Sequence, residues 1–211
     1  MQIIQNIVQD LINTDKPLTA SLYKGKFLAR RIGNEAFLEW INNELNGYNN
    51  SVDPEEENVP DYRKHGAILI GSGYIGYHPY NDIPIITAGL EEGLIKSLQT
   101  VILYDSVSVL EKMSNDVKLD TLEINYPPEL CAIIQSNVKK INPHFWLSTA
   151  KSITSSTFIV QCLTEIRSKF LDFMMELDEQ FGGITNTDEL IDTLRACWEI
   201  IFGETIKSAV A

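Results

Sequence analysis

The stretch Leu22–Tyr48, LYKGKFLARRIGNEAFLEWINNELNGY, sets two amphipathic helical patterns on either side of a Gly33-Asn34 turn. So short a connection forces an antiparallel or sharply angled helical hairpin. The first helix is expected to begin near Thr19, with Leu22, Tyr23, Phe27, Leu28 and Ile32 at helical spacing. Gly33 suits the left-handed position that closes it, and Asn34 is placed to cap the next. The second helix turns Phe37, Leu38, Trp40, Ile41 and Leu45 inward and stops at Gly47. Upstream, Ile3, Ile4, Ile7, Val8, Leu11 and Ile12 fall on one stripe of a further helix, which must be buried against a neighbour.

Downstream the pattern becomes mixed. From Asn49 to Lys64 the chain is polar and acidic, with Asp53, Glu55, Glu56 and Glu57, and reads as a solvated loop. Ala67–Ile70 and Gly73–Tyr77 are short runs of β-formers punctuated by glycines, which predicts a small hairpin or bulged strands. Pro79–Pro84 reads as a break. Leu90–Met113 keeps near-helical spacing through Leu94, Leu98, Val101, Ile102, Val109 and Leu110, so one long helix is expected there; Gly93 costs it only ~1 kcal/mol. Thr121–Tyr126 alternates like a strand, and Pro128 suits the first turn of a helix running through Cys131, Ile134 and Val138. His144–Ala150 reads as a last strand. Ser155–Phe181 is the longest helix, about 40 Å at 1.5 Å per residue. Gly182 and Gly183 end it, and Thr187 caps a final helix carrying Leu190, Ile191, Leu194, Cys197, Trp198 and Ile201. The fold class is α+β, mainly helical: long amphipathic helices packed with a small antiparallel sheet. Residues 1–181 form one domain, and 182–211 an appended or interface-forming helix.

Composition limits the partners. A formal charge of −12 and a pI near 4.6 repel phosphates, which argues against nucleic-acid binding. Lys24, Lys26, Arg30 and Arg31, and separately Lys139 with Lys140, are the local basic clusters; Tyr23 and Phe27 beside the first are counted in the apolar pattern of its helix, Lys139 and Lys140 have no adjacent aromatic, and both clusters read as solvated faces. No stretch approaches the ~20 apolar residues of a membrane span, and the N-terminus lacks signal-peptide regions, so a cytoplasmic protein with no membrane partner is expected. Cys131, Cys162 and Cys197 are widely spaced in apolar patterns, which fits buried thiols better than a disulfide framework.

Several motifs carry chemistry elsewhere. Gly71-Ser72-Gly73-Tyr74-Ile75-Gly76 matches the dinucleotide-binding glycine pattern, but Tyr77, His78 and Pro79 follow where a helix must open to meet a pyrophosphate. Asp61, Asp116 and Lys118 resemble the scattered acid-acid-lysine set of metal-dependent nucleases, though far apart. Ser148-x-x-Lys151 spells an acylation pattern that recurs at Ser21/Lys24 and Ser136/Lys139 without companion motifs. His65, His78 and His144 lack metal-ligand spacing with one another or with the cysteines. The Glu55–Glu57 run lacks the ligand pattern of a calcium site. Neither metal nor cofactor is therefore expected, and no catalytic residue is assigned. Trp40, Trp146 and Trp198 read as core anchors; the last, with Cys197, Ile201 and Phe202, is the candidate interface stripe for a protein partner or a second copy.

The ending Leu45-Asn46-Gly47-Tyr48 resembles the signature that closes the first helical hairpin of the AbiTii domain family of prokaryotic abortive-infection and antiphage defence. Val59-Pro60-Asp61-Tyr62-Arg63, Ile83-Pro84-Ile85, Tyr126-Pro127-Pro128-Glu129-Leu130 and the helix through Leu171, Asp172, Phe173 and Leu177 resemble its later landmarks in order, covering roughly residues 3–181. The resemblance implies antiphage defence. Without a catalytic signature, the expectation is a non-enzymatic sensing, regulatory or protein-interaction component. The alternatives are a divergent metal-dependent nuclease effector, and a nucleotide-type ligand sensor using the glycine-rich segment with Tyr74, Tyr77 and Tyr80.

Overall fold

In the computed structural model, residues 2–48 and 59–181 are described; they hold seven α-helices and two small antiparallel sheets. The mainly helical α+β class is therefore correct. The chain divides into two compact units: 1–63, 103–117 and 159–211 in one, 64–102 and 118–158 in the other.

The first unit is helical. Its elements are α1 (Gln2–Ile12), α2 (Leu18–Ile32), α3 (Glu35–Asn46) and a 3-10 turn (Asp61–Arg63), as well as α5 (Val107–Ser114) and all but the first residues of α7 (Thr157–Phe181). α2 ends at Gly33 in the left-handed conformation (φ 70°), and the Asn34 side chain accepts from Phe37 N at 2.9 Å to cap α3, as the spacing predicts. Ile4, Ile7 and Leu11 are buried along α1, whereas Ile12 is exposed. On α2 the buried set is Leu18, Ser21, Leu22, Gly25, Leu28 and Ala29, while Tyr23 and Phe27 face solvent. Gly25 lets this helix come close to its neighbours: a Cβ there would stand 2.6 Å from the Phe170 ring and 2.9 Å from Ile41. Phe37, Trp40, Phe170 and Phe173 form the aromatic centre, with Phe37 and Phe173 centroids 4.6 Å apart. Helix ends are tied by side chains. Glu111 of α5 accepts from Leu18 N and Thr19 Oγ1 at the start of α2, and Arg167 of α7 donates to the carbonyls of Leu11, Asn13 and Lys16.

The second unit is built on sheets. A four-stranded sheet runs β3 (His78–Pro84), β2 (Ile68–Ile75), β6 (Phe145–Ser155), β5 (Thr121–Asn125); a two-stranded ribbon pairs β1 (Lys64–Gly66) with β4 (Thr100–Ile102). α4 (Glu92–Leu98) and α6 (Pro128–Lys139) complete it, and α6 packs on β6. Leu69, Leu98, Ile134, Phe145, Leu147 and Ala150 lie in its core.

Three of the expected elements need correction. The Leu90–Met113 helix is two short helices separated by β4, because Thr100, Val101 and Ile102 are β-branched and complete the ribbon with β1. The Pro79–Pro84 break is the edge strand β3, where a missing N–H is tolerated because no further strand needs it. The last strand continues past Ala150 to Ser155, carrying the pairing with β5. The helix expected from Thr187 lies outside the described residues.

Candidate functional site

In the first unit the inward stripe of α3 runs Phe37, Trp40, Ile41, and then places a carboxylate, Glu44, where an apolar residue is expected. Glu44 and Arg63 are both fully buried. Arg63 Nη2 meets Glu44 Oε2 at 2.5 Å, while Nη1 donates to the carbonyls of Leu103 (2.7 Å) and Asp105 (2.8 Å). Tyr48 and Tyr62 donate to Glu44 Oε1 at 2.8 and 2.7 Å, and Trp40 Nε1 donates to Tyr62 Oη at 2.8 Å. The guanidinium carbon lies 4.7 Å from the centre of the Tyr48 ring. A buried ion pair persists only when its remaining hydrogen-bonding capacity is met, and here two carbonyls and two phenols meet it.

Electrostatics follow from this geometry. Burial opposes the charge on Arg63, but the Glu44 carboxylate beside it outweighs that and holds the guanidinium charged. Burial, then the adjacent Glu44 charge, pushes both tyrosines well above the usual phenol range. Burial likewise pushes the Cys162 thiol up to about 12, so it is an unreactive thiol. Gly47 is required by close approach. Its φ is 84°, and a Cβ would stand 2.6 Å from the Tyr104 carbonyl oxygen, the same oxygen that accepts from Tyr48 N at 2.8 Å. The Leu-Asn-Gly-Tyr and Pro-Asp-Tyr-Arg segments thus meet in one hydrogen-bonded network centred on the buried pair. Glu44 leaves one signal in the sequence, a carboxylate on the inward face of its helix, four residues after Trp40 and four before Tyr48.

In the second unit the glycine-rich segment is strand β2. Gly71 and Gly73 admit neighbours, since Cβ atoms there would stand 2.6 Å from Leu147 Cδ1 and 2.0 Å from the Trp146 carbonyl oxygen. The pairing shifts by one residue between Ser72 and Gly73, opposite Ser148. No helix opens after this segment, so the glycines are accounted for by sheet packing. On the open face Ser72 bonds to Asp82, which has a positive φ of 49°, and Lys151 lies between Glu123 (3.0 Å) and Asp82 (3.6 Å). The hydrogen bond to Glu123 raises the Lys151 pKa, so the Ser148/Lys151 pair lacks a neutral amine to act as base.

The other sequence candidates are scattered. Ser21 is buried in α2, Lys24 is paired with Asp10, and Lys139 lies over the Trp146 ring at 4.5 Å. Asp61 opens the 3-10 turn and Asp116 follows α5, both exposed. His65 stacks on Phe158, and His78 and His144 are exposed. Among the described residues, no three His, Cys, Asp or Glu side chains are grouped so as to hold a metal ion. Cys131 and Cys162 are buried free thiols. Trp40 is a core anchor, but Trp146 is not: its side chain lies on the solvent face of β6, 55% exposed. Asp53 and Glu55–Glu57, and the stripe of Cys197, Trp198, Ile201 and Phe202, lie outside the described residues.

The AbiTii family model matches residues 2–192. The chain belongs to the AbiTii family. Membership suggests a role in abortive-infection defence, and the match extends past Phe181 into the segment that sequence reading set apart. Comparison with curated proteins and with solved structures gave no match. No described helix of this AbiTii chain is long and apolar enough to cross a membrane.

The two units also differ in charge. In the second, Lys64, Lys96, Lys118, Lys139, Lys140 and Lys151 balance Asp82, Glu91, Glu92, Asp120, Glu123 and Glu129, so the formal −12 lies wholly outside its segments.

Proposed function

We propose that this AbiTii chain is a non-enzymatic recognition component of an abortive-infection system, one that senses or regulates by binding a partner. The observation that carries this reading is the complete burial of Glu44 and Arg63. Two of the segments through which the chain resembles its family, Leu45–Tyr48 and Val59–Arg63, are occupied in holding α3, the 3-10 turn and the segment before α5 together around Glu44 and Arg63, and solvent does not reach that pair. Frame residues of this kind support a surface; they do not turn over a substrate.

A pull-down from phage-challenged cells with the tagged full chain tests the proposal, alongside incubation of the purified chain with DNA and RNA in the presence of divalent metal. Reproducible capture of a partner, with no cleavage, is the expected result. Metal-dependent cleavage abolished by Asp61→Ala or Lys118→Ala would replace this reading with that of a nuclease effector.

A further inference from the structure

One end of the second unit combines exposed aromatic rings with lysines and lacks carboxylates. Tyr74 on β2 pairs directly with Trp146 on β6, so both project from the same open face of the sheet, 49% and 55% exposed. Tyr77, in the turn joining β2 to β3, is almost wholly exposed. Lys139 Nζ lies 4.5 Å from the Trp146 ring centre, and Lys140 follows it at the end of α6. Residues 73–81 and 138–150, which supply this end, contain no Asp or Glu. The nearby carboxylates of Asp82 and Glu123 are engaged by Lys151.

The backbone beneath these rings is fixed from three sides. Tyr80 Oη donates to the Trp146 carbonyl at 3.0 Å, Leu147 N donates to Gln135 Oε1 of α6 at 2.8 Å, and Gly76 N donates to the His144 carbonyl at 2.9 Å. The rings therefore sit on a rigid support.

We propose that this end binds a short stretch of single-stranded nucleic acid, with bases stacked on Trp146, Tyr74 and Tyr77 and phosphates drawn to Lys139 and Lys140. Stacking on exposed rings requires unpaired bases, which excludes a duplex. The net charge of the chain does not oppose this locally, because exposed charges farther off than about 10 Å are screened at ordinary ionic strength. Two lysines are too few to hold a membrane surface, whereas two suffice to place the backbone of a strand whose bases are stacked. The proposal rests on the recognition reading and names its ligand, yet it fails separately: a chain that captures a protein partner but binds no single strand overturns this proposal and leaves the recognition reading standing.

The test is fluorescence anisotropy with labelled 12-nucleotide single-stranded RNA, its DNA counterpart and the matching duplex, using the full chain at two salt concentrations. Sedimentation with phosphatidylserine vesicles runs in parallel. Saturable, salt-weakened binding of a single strand is expected. Trp146→Ala and the pair Lys139→Glu/Lys140→Glu should each weaken it at least tenfold, Trp146→Phe should retain most of it, and Lys96→Glu should change it less than twofold. Circular dichroism establishes that each variant is folded. A preference for RNA or DNA identifies the source of the strand. Absence of single-strand binding by the unsubstituted chain overturns the proposal. Binding that folded Trp146→Ala and Lys139→Glu/Lys140→Glu variants retain, or attachment to vesicles alone, also overturns it.

Discussion

The two units handle charge in opposite ways. The first unit buries one ion pair so completely that Glu44 and Arg63 meet only protein. The second is balanced and keeps its charges at the surface. Burial makes a charged group an obligate structural partner, because removing its counterpart leaves an uncompensated charge in a low-dielectric interior. Exposure does the reverse: it leaves groups available to a ligand at little cost to the fold. The recognisable family landmarks around Tyr48 and Arg63 belong to the first case, and the surface available for binding to the second.

Breaking the buried pair should give the largest effect. Arg63→Met leaves Glu44 buried without its cationic partner, so urea denaturation is expected to show a loss of about 3–5 kcal/mol. A loss below about 1 kcal/mol, the range of exposed pairs, would erase the contrast between the units.

Alkaline pH should erode the first unit next. Cys162, Tyr48 and Tyr62 all have folded pKa values raised by burial, from ordinary values of 9.0 for the thiol and 10.0 for the phenols. Above those values the unfolded chain releases protons that the folded chain retains, so stability is full below about pH 9 and falls as pH rises toward the folded values. Urea midpoints measured from pH 8 to pH 11 should decline, and Cys162→Ala should delay the onset. A flat profile would mean that these groups ionise freely in the folded state.

Within the second unit, Gly73→Ala forces a Cβ against the Trp146 carbonyl oxygen and should cost about 1–3 kcal/mol. Gly76→Ala meets no neighbour, and only its left-handed φ of 62° opposes it, at about 1 kcal/mol. Thermal denaturation of both variants compares them; equal costs would show that the glycine-rich strand is not closely packed on β6. The smallest effect is expected at the hairpin: Asn34→Ala removes the bond from Phe37 N and should cost about 1 kcal/mol, read as a small fall in the urea midpoint.

Local features were the legible ones. Gly33, Asn34 and Pro128 occupy the capping positions their spacing implies, because caps depend on residues within one turn. The apolar residues of α4, β4 and α5 fall near helical spacing throughout, and only the pairing of Lys64–Gly66 with Thr100–Ile102 makes β4 a strand. Both site regions depend on residues distant in sequence. Arg63 reaches the carbonyls of Leu103 and Asp105, and Tyr74 meets Trp146, so neither grouping leaves a contiguous motif. Lys139 and Lys140 lacked aromatics in sequence; in the fold, Trp146 comes to Lys139 and Tyr74 lies opposite Trp146.

The most direct test of the claim that Glu44 and Arg63 form a coupled buried frame is a double-mutant cycle in urea on Glu44→Gln, Arg63→Gln and both together. The account predicts that each single change costs several kcal/mol and that the double costs clearly less than their sum, because the second change removes the charge stranded by the first. Small, additive single costs would contradict it and would return Glu44 and Arg63 to the search for chemistry.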